Sequence, residues 1–156
     1  MTYMDIAVVE AYEGIEYKHG GPFGCVIVKD NEVVGTGHNR VLIDHDPTAH
    51  GEVVAIRNAC KNLGTHDLSG CVLYTTGEPC PMCLAAIMWA RIDKVVYAKS
   101  CQQTSDELGF DDTPFFEEIT RKHLQGYCSN VDIIQEENIR VDLLFKDYID
   151  SEGEMY

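Results

Sequence analysis

Positive charge is scarce in this sequence: 12 Lys and Arg stand against 26 Asp and Glu over 156 residues, a formal net charge of −14. Binding a nucleic-acid backbone requires clustered Lys and Arg that neutralise phosphates, and no basic run offers such a patch. The expectation is therefore no nucleic-acid partner and a small, neutral molecule instead. Long apolar runs are missing as well. None approaches the roughly 20 residues that span a bilayer, so no membrane partner is expected. The opening stretch Met1-Thr2-Tyr3-Met4-Asp5 has neither the basic flank nor the apolar core of a signal peptide, and the expected location is cytoplasmic. Seven cysteines in that setting are not a disulfide framework. They read as buried thiols or metal ligands, with Cys25 in a strand pattern and Cys60 on an apolar helix face as packing residues.

Internal repeats, low-complexity segments and linkers are also absent, so residues 1–156 read as one domain, long enough to bury a core. Met4, Val8, Ala11 and Ile15 share the spacing of one helix face, and His19-Gly20-Gly21-Pro22 ends that helix. Phe23 to Lys29 reads as a strand, Asp30-Asn31 as a turn and Glu32 to Gly37 as its hairpin partner. A polar, loop-like stretch follows to Pro47. Thr48 to Leu63 reads as a helix with Val53, Ile56, Cys60 and Leu63 inward, stopped by Gly64. Val72 to Thr75 is an apolar strand, and a helix runs from about Pro81, a residue suited to a first turn, to Arg91. Val95 to Ala98 is the next strand. Beyond it the sequence predicts a long loop through Ser105 and Gly109, a helix from Pro114 to about Leu124, a strand at Val131 to Ile134 and a helix from Ile139 to Ile149. Helices alternating with strands predict a three-layer α/β/α sandwich, and the hairpin makes its central sheet, of about five strands, mixed.

Two short pieces carry chemistry: His50-Gly51-Glu52 and Pro79-Cys80-Pro81-Met82-Cys83. Each falls at the N-terminal end of an expected helix, where unpaired N–H groups and partial positive charge favour thiolates. The C-x-x-C spacing in a first turn brings both sulfurs to one point. With the imidazole of His50 they form a three-ligand set, the catalytic zinc pattern, which leaves the fourth tetrahedral position for water. Glu52, two residues past the histidine, need not coordinate and can move protons instead. A lone C-x-x-C could equally be a redox dithiol, and a lone H-x-E a pair of helix surface residues. A structural zinc site would need a fourth ligand, and no Cys or His stands at an obvious spacing. In this order, however, the two pieces match the H-x-E…P-C-x-x-C pattern of zinc deaminases.

At these residues the chain resembles the cytidine deaminase-like superfamily, and within it the bacterial guanine deaminase branch. The resemblance includes Gly20-Gly21-Pro22-Phe23-Gly24, Asn39, Asp46 to His50, Glu78 to Cys83, Trp89-Ala90-Arg91 and Gly109-Phe110-Asp111-Asp112. It implies a cytidine deaminase-like fold, one catalytic Zn2+ per subunit on His50, Cys80 and Cys83, and Glu52 as proton shuttle. It further implies that Asn39 binds a purine base, that Phe23 and Trp89 line the pocket, and that Gly51 contributes its backbone N–H. Asp112 would face the amino group and assist the departure of ammonia, although the residues alone read as an acidic loop capping the next helix. The implied reaction is hydrolysis of guanine to xanthine and ammonia. A related deaminase acting on guanosine, another aminopurine or an aminotriazine is the alternative, and an inactive zinc-binding interaction module is the reading from another class. The resemblance also implies a domain-swapped homodimer in which residues 125–156 cross over, with a hinge near Gln125 to Asn130 and Tyr156 closing the partner's site. Gly51 departs from the Ala common at that position. The segments Cys101 to Glu107 and Gln125 to Glu137 match the family pattern poorly.

Overall fold

The computed structural model describes residues 1–110, 112–119 and 131–156. Its strands are β1 (Gly24–Lys29), β2 (Glu32–His38), β3 (Cys71–Gly77), β4 (Lys94–Lys99) and β5 (Asp132–Gln135). They form one sheet in the order β2-β1-β3-β4-β5. β1 runs antiparallel to both β2 and β3, while β3, β4 and β5 are parallel, so the sheet is mixed as expected. The hairpin between β1 and β2 turns on Asp30 and Asn31, with φ of 50° and 66°. That positive pair matches the right-handed twist of the strands it joins.

Alternation along the strands divides the core in two. Cys25 and Ile27 of β1, Cys71 and Leu73 of β3 and Val95 of β4 point to one side. There they meet α3 (Gly51–Leu63) and α4 (Pro81–Trp89) through Ala55, Ala59 and Ile87. Val96 and Ala98 of β4 point to the other side, against α1 (Tyr3–Glu16) and α7 (Ile139–Asp150). The result is the expected three-layer α/β/α sandwich. Cys25 is fully buried, and burial pushes its thiol pKa well up, as suits a packing residue. Cys60 sits at the margin of its cluster. No helix among the described residues is long and apolar enough to cross a membrane.

The inner face of α3 is not the one the apolar spacing suggests. Its buried residues are Gly51, Glu52, Ala55 and Ala59, while Leu63 is exposed and Val53, Ile56 and Cys60 flank the contact. The cause lies on β2. A Cβ at Gly35 would stand 2.7 Å from the Ala55 carbonyl oxygen and from Ala59 Cβ, and one at Gly37 would stand 2.6 Å from Ala55 N. Helix and strand meet backbone to backbone, so the face that fits carries alanine rather than the larger residues.

Two further elements fall where a loop is expected. α2 (Val41–Asp44) is a single turn in the polar stretch before Pro47. α5 (Cys101–Leu108) occupies the stretch expected as a long loop. Ser100 and Gln103 form its capping box, and Gly109 ends it with φ 81°. That is a sequence signal in plain view, S-x-x-Q followed by a C-terminal glycine. α6 (Thr113–Glu117) begins the next expected helix; residues 120–124 of that helix, and the hinge near Gln125 to Asn130, lie outside the described residues.

In the single chain α7 docks on α1. Tyr12 Oη donates to Asp147 Oδ2 at 2.6 Å, and Arg140 Nε lies 3.4 Å from Asp5 Oδ1.

Candidate active site

Both expected ligand-bearing pieces stand at helix starts. His50 is the N-cap of α3 and Cys80 the N-cap of α4, with Pro81 opening the latter helix. Neither side chain caps its own helix. They turn toward each other instead. His50 Nδ1 lies 3.6 Å from Cys80 Sγ and 3.5 Å from Cys83 Sγ, and one ligand atom from each of the three fits within 4.8 Å of the others. Two sulfurs and an imidazole nitrogen suit zinc, and three protein ligands are the number found in catalytic sites.

The electrostatics agree with a ligand cluster. A hydrogen bond from Cys83 is the main reason the Cys80 thiol is lowered to about 4; His50 assists, and burial opposes. The Cys83 thiol moves the other way because it donates to Cys80 and is buried beside Glu52. A cation bound here would be held by both thiolates, so its binding would release protons. Burial disfavours a charged His50, but the bond to Cys80 and the Glu52 carboxylate outweigh it, and the imidazole pKa is raised.

Glu52, in the first turn of α3, is buried, and that burial raises its carboxyl pKa. Thr75 Oγ1 donates to its Oε1 at 3.2 Å, and Cys83 Sγ lies 3.5 Å from its Oε2. The carboxylate is beside the ligand cluster without belonging to it, where it can take up and release a proton.

A cavity of about 410 Å³ opens over this cluster, lined by His50, Glu52 and Cys80 together with Phe23, Asn39 and Asp112. Asn39 is fixed by its neighbours: its N–H donates to the Phe23 carbonyl at 2.9 Å and its Oδ1 accepts from Val41 N at 3.0 Å. Asp112 stands both at the cavity and at the start of a helix. Its carbonyl accepts from Phe116 N at 2.8 Å at the start of α6, and the residue is exposed at the cavity. Asp111 lies outside the described residues.

Tyr156 also lines the cavity, in the same chain. Its Oη accepts from Gly21 N at 2.8 Å, and its ring meets Phe110 edge-on at 5.4 Å. Burial raises its phenol pKa. Phe110 in turn packs edge-on against Phe23 at 5.5 Å.

Two expected pocket residues are not there. Trp89 is 86% exposed and does not line the cavity. The inward face of α4 is set by Pro81, Cys83 and Ile87, and Trp89, two residues past Ile87, is turned about 200° from it. Gly51 is buried but does not line the cavity either. A Cβ there would come within 3.1 Å of the Phe23 carbonyl oxygen, which gives a reason for glycine in place of alanine. Conversely, sequence reasoning did not single out Glu78, Cys101, Thr104 or Phe116, all of which line the cavity.

A two-thiol, one-imidazole cluster at paired helix starts, with a buried carboxylate beside it on an α/β/α sandwich, defines a zinc-dependent hydrolytic deaminase. Residues 1–99 match the model of the cytidine and deoxycytidylate deaminase zinc-binding region, and the chain belongs to that family. Guanine deaminase of Bacillus subtilis is 51% identical over 120 residues, covering 77% of this chain and 76% of that protein. The X-ray structure of the Bacillus subtilis guanine deaminase superposes with a TM-score of 0.72 and 42% identity, covering 95% of this chain and 92% of that one. A tRNA-specific adenosine deaminase of Aquifex aeolicus is 44% identical over 96 residues, 62% of this chain and 63% of that protein.

Proposed function

We propose that this enzyme hydrolyses guanine to xanthine and ammonia. The observation that carries the reading is the cavity itself. Asp112 and Tyr156, from beyond the shared zinc-binding region, line the same space as His50, Glu52 and Asn39. When bound at His50, Cys80 and Cys83, zinc supplies an acidified water. Glu52 would carry two protons in turn, the first from the water to the ring nitrogen and the second from the hydroxyl added at the carbon to the amine, so that the C–N bond breaks and ammonia leaves. Asn39 has its Oδ1 engaged by Val41, so its Nδ2 is the group it offers, as a donor to a ring acceptor. Guanine presents an exocyclic amine beside a ring N–H, both donors, and the ionised carboxylate of Asp112 is a matching acceptor. Phe23 and Phe110 add apolar surface for the ring.

A tRNA substrate fits poorly with a net charge of −14, which repels a phosphate backbone. The proposed assembly is a homodimer with an exchanged C-terminal segment, in which the α1–α7 contacts seen here within one chain would be made between two copies. The cytoplasm is the location proposed for it.

The deciding experiment is ammonia release by the zinc-loaded protein from a panel of aminated purines, pyrimidines and nucleosides. Guanine is expected to lead. Clear turnover of a nucleoside with none of guanine would overturn the reading. Sedimentation and mixing of two differently tagged copies test the exchanged dimer.

A further inference from the structure

The family match ends at residue 99, and α5 begins at Cys101. His50, Glu52, Cys80 and Cys83 all lie before α5, and part of the cavity wall lies on it. Cys101 and Thr104 stand one helical turn apart, on one face, and both line the cavity. Thr104 is almost fully buried.

The wall is tied to the metal-bearing loop by Glu78, two residues before Cys80. The Glu78 N–H donates to the Lys99 carbonyl at 2.7 Å, and its Oε2 accepts from Cys101 N at 2.7 Å. A carboxylate at a helix N-terminus is a favourable, charge-assisted arrangement. Other bonds hold the wall from behind. Gln103 Oε1 accepts from Ser100 N and from Gln135 Nε2, both at 2.8 Å. Lys99 Nζ bridges Glu107 at 2.7 Å and Asp142 at 2.5 Å. A base whose reacting carbon sits beside Glu52 thus meets a wall at a fixed distance.

The chemistry of the lining narrows what that base can be. Among the described residues that line the cavity, none is Lys or Arg. Nothing there would compensate a phosphate, whereas Glu52, Glu78 and Asp112 would repel one.

We propose that Cys101 and Thr104 are the specificity-determining wall of this site, selecting an uncharged, phosphate-free base, with Glu78 as the positioning residue that sets their distance from the zinc ligands. This rests on the deaminase reading above and deepens it. The Thr104 hydroxyl donates or accepts a hydrogen bond at the ring edge away from the reacting carbon, and the Cys101 side chain fixes the room beside it. The binding step involves no covalent change.

The test compares kcat/KM for guanine, cytosine and guanosine 5′-monophosphate in the zinc-loaded wild type and in Thr104→Val, Thr104→Ser and Cys101→Ala. Thr104→Val is expected to change the guanine-to-cytosine ratio by about tenfold, mostly through KM, and Thr104→Ser to restore it. Glu78→Ala is expected to raise KM with zinc content unchanged, and Glu78→Gln, which keeps an acceptor, to recover it. A ratio unmoved by both Thr104→Val and Cys101→Ala overturns the proposal, as does wild-type turnover of the monophosphate equal to that of the base. Should Thr104→Val fail to fold, Thr104→Ser and Cys101→Ala carry the comparison. Failure of wild-type protein to act on guanine would instead strike the substrate reading; the ratio would then be taken between the two best accepted bases.

Discussion

Thr75 Oγ1 stands 3.2 Å from Glu52 Oε1 and 3.1 Å from the Gly77 carbonyl oxygen, so one hydroxyl proton serves two acceptors. Thr75 is buried on β3, next to the turn that leads to Cys80, and it ties the carboxylate of α3 to the sheet. Thr75→Val keeps the shape and removes the bond. Turnover is expected to fall about tenfold at little change in KM, with Thr75→Ser restoring it. Equal kcat in wild type and Thr75→Val would show that the hydroxyl plays no part in holding Glu52.

Glu52→Gln preserves size and leaves His50, Cys80 and Cys83 in place. Zinc content, read by metal analysis of the purified protein, is expected to stay at one per chain. Ammonia release is expected to drop by about 10²- to 10⁴-fold, the range general acid–base groups supply. Retained turnover would remove Glu52 from the proton-transfer role.

Glu10 on α1 supplies a pH-dependent contribution to stability. His38 Nδ1 donates to Glu10 Oε2 at 3.1 Å, and that bond is the first reason its carboxyl pKa lies below the ordinary 4.5. The folded state therefore binds this proton less readily than the unfolded chain. The stabilisation is complete above about 4.5 and is lost as pH falls through the lower folded value. Glu10→Gln is expected to melt below wild type near neutrality, with the gap closing as pH falls below 4.5 and through the lowered folded value. A gap constant with pH would mean that the charge of Glu10 contributes nothing.

Gly35→Ala forces a methyl into the backbone contact between β2 and α3, where the Ala55 carbonyl oxygen and the N and Cβ of Ala59 would each stand 2.7 Å from the new Cβ. Neither the Ala55 carbonyl nor Ala59 can swing aside. Overpacking of this kind costs about 1–3 kcal/mol, or roughly 2–12 °C in Tm. Thermal denaturation of zinc-loaded protein measures it, and an unchanged Tm would show the groove to be wider than described.

Tyr156 contributes a hydroxyl and a ring, and two substitutions separate them. Tyr156→Phe loses the bond to Gly21 N but keeps the contact with Phe110, and is expected to lower kcat/KM by about threefold to tenfold. Tyr156→Ala loses both and should fall further, without unfolding the protein. If the two variants match wild type, the terminal residue is a frayed end.

What the sequence made legible was the part written in local signals. His50, Cys80 and Cys83 are each placed by a helix start that glycine, proline and loop residues punctuate, so their convergence could be read from spacing. The sandwich followed from strand alternation and helix period. The errors share a physical origin: they turn on how closely elements approach. Apolar spacing put Leu63 inward on α3, but it is exposed, and two glycines on β2 reserve the closest face for Ala55 and Ala59. Trp89 sits in a matching motif, yet Ile87 sets the inward face of α4. The contacts of Glu78 with Cys101, and of Thr75 with Glu52, join residues 23 positions apart, and no local pattern encodes them. α5 is different: its capping box, Ser100 and Gln103, and its closing Gly109 are local signals for a helix where a loop is expected.

The seating of α3 in the glycine groove of β2 has a consequence for the energetics of turnover. A helix in contact through its own backbone has no side-chain cushion in which to slide or roll. His50 and Glu52, at its leading end, inherit that fixity. The entropy of arranging them is therefore spent once, when the sheet and helix assemble, and is not charged again to each arriving substrate. Loss of core packing elsewhere should then reduce the amount of active protein well before it alters the rate of each surviving molecule.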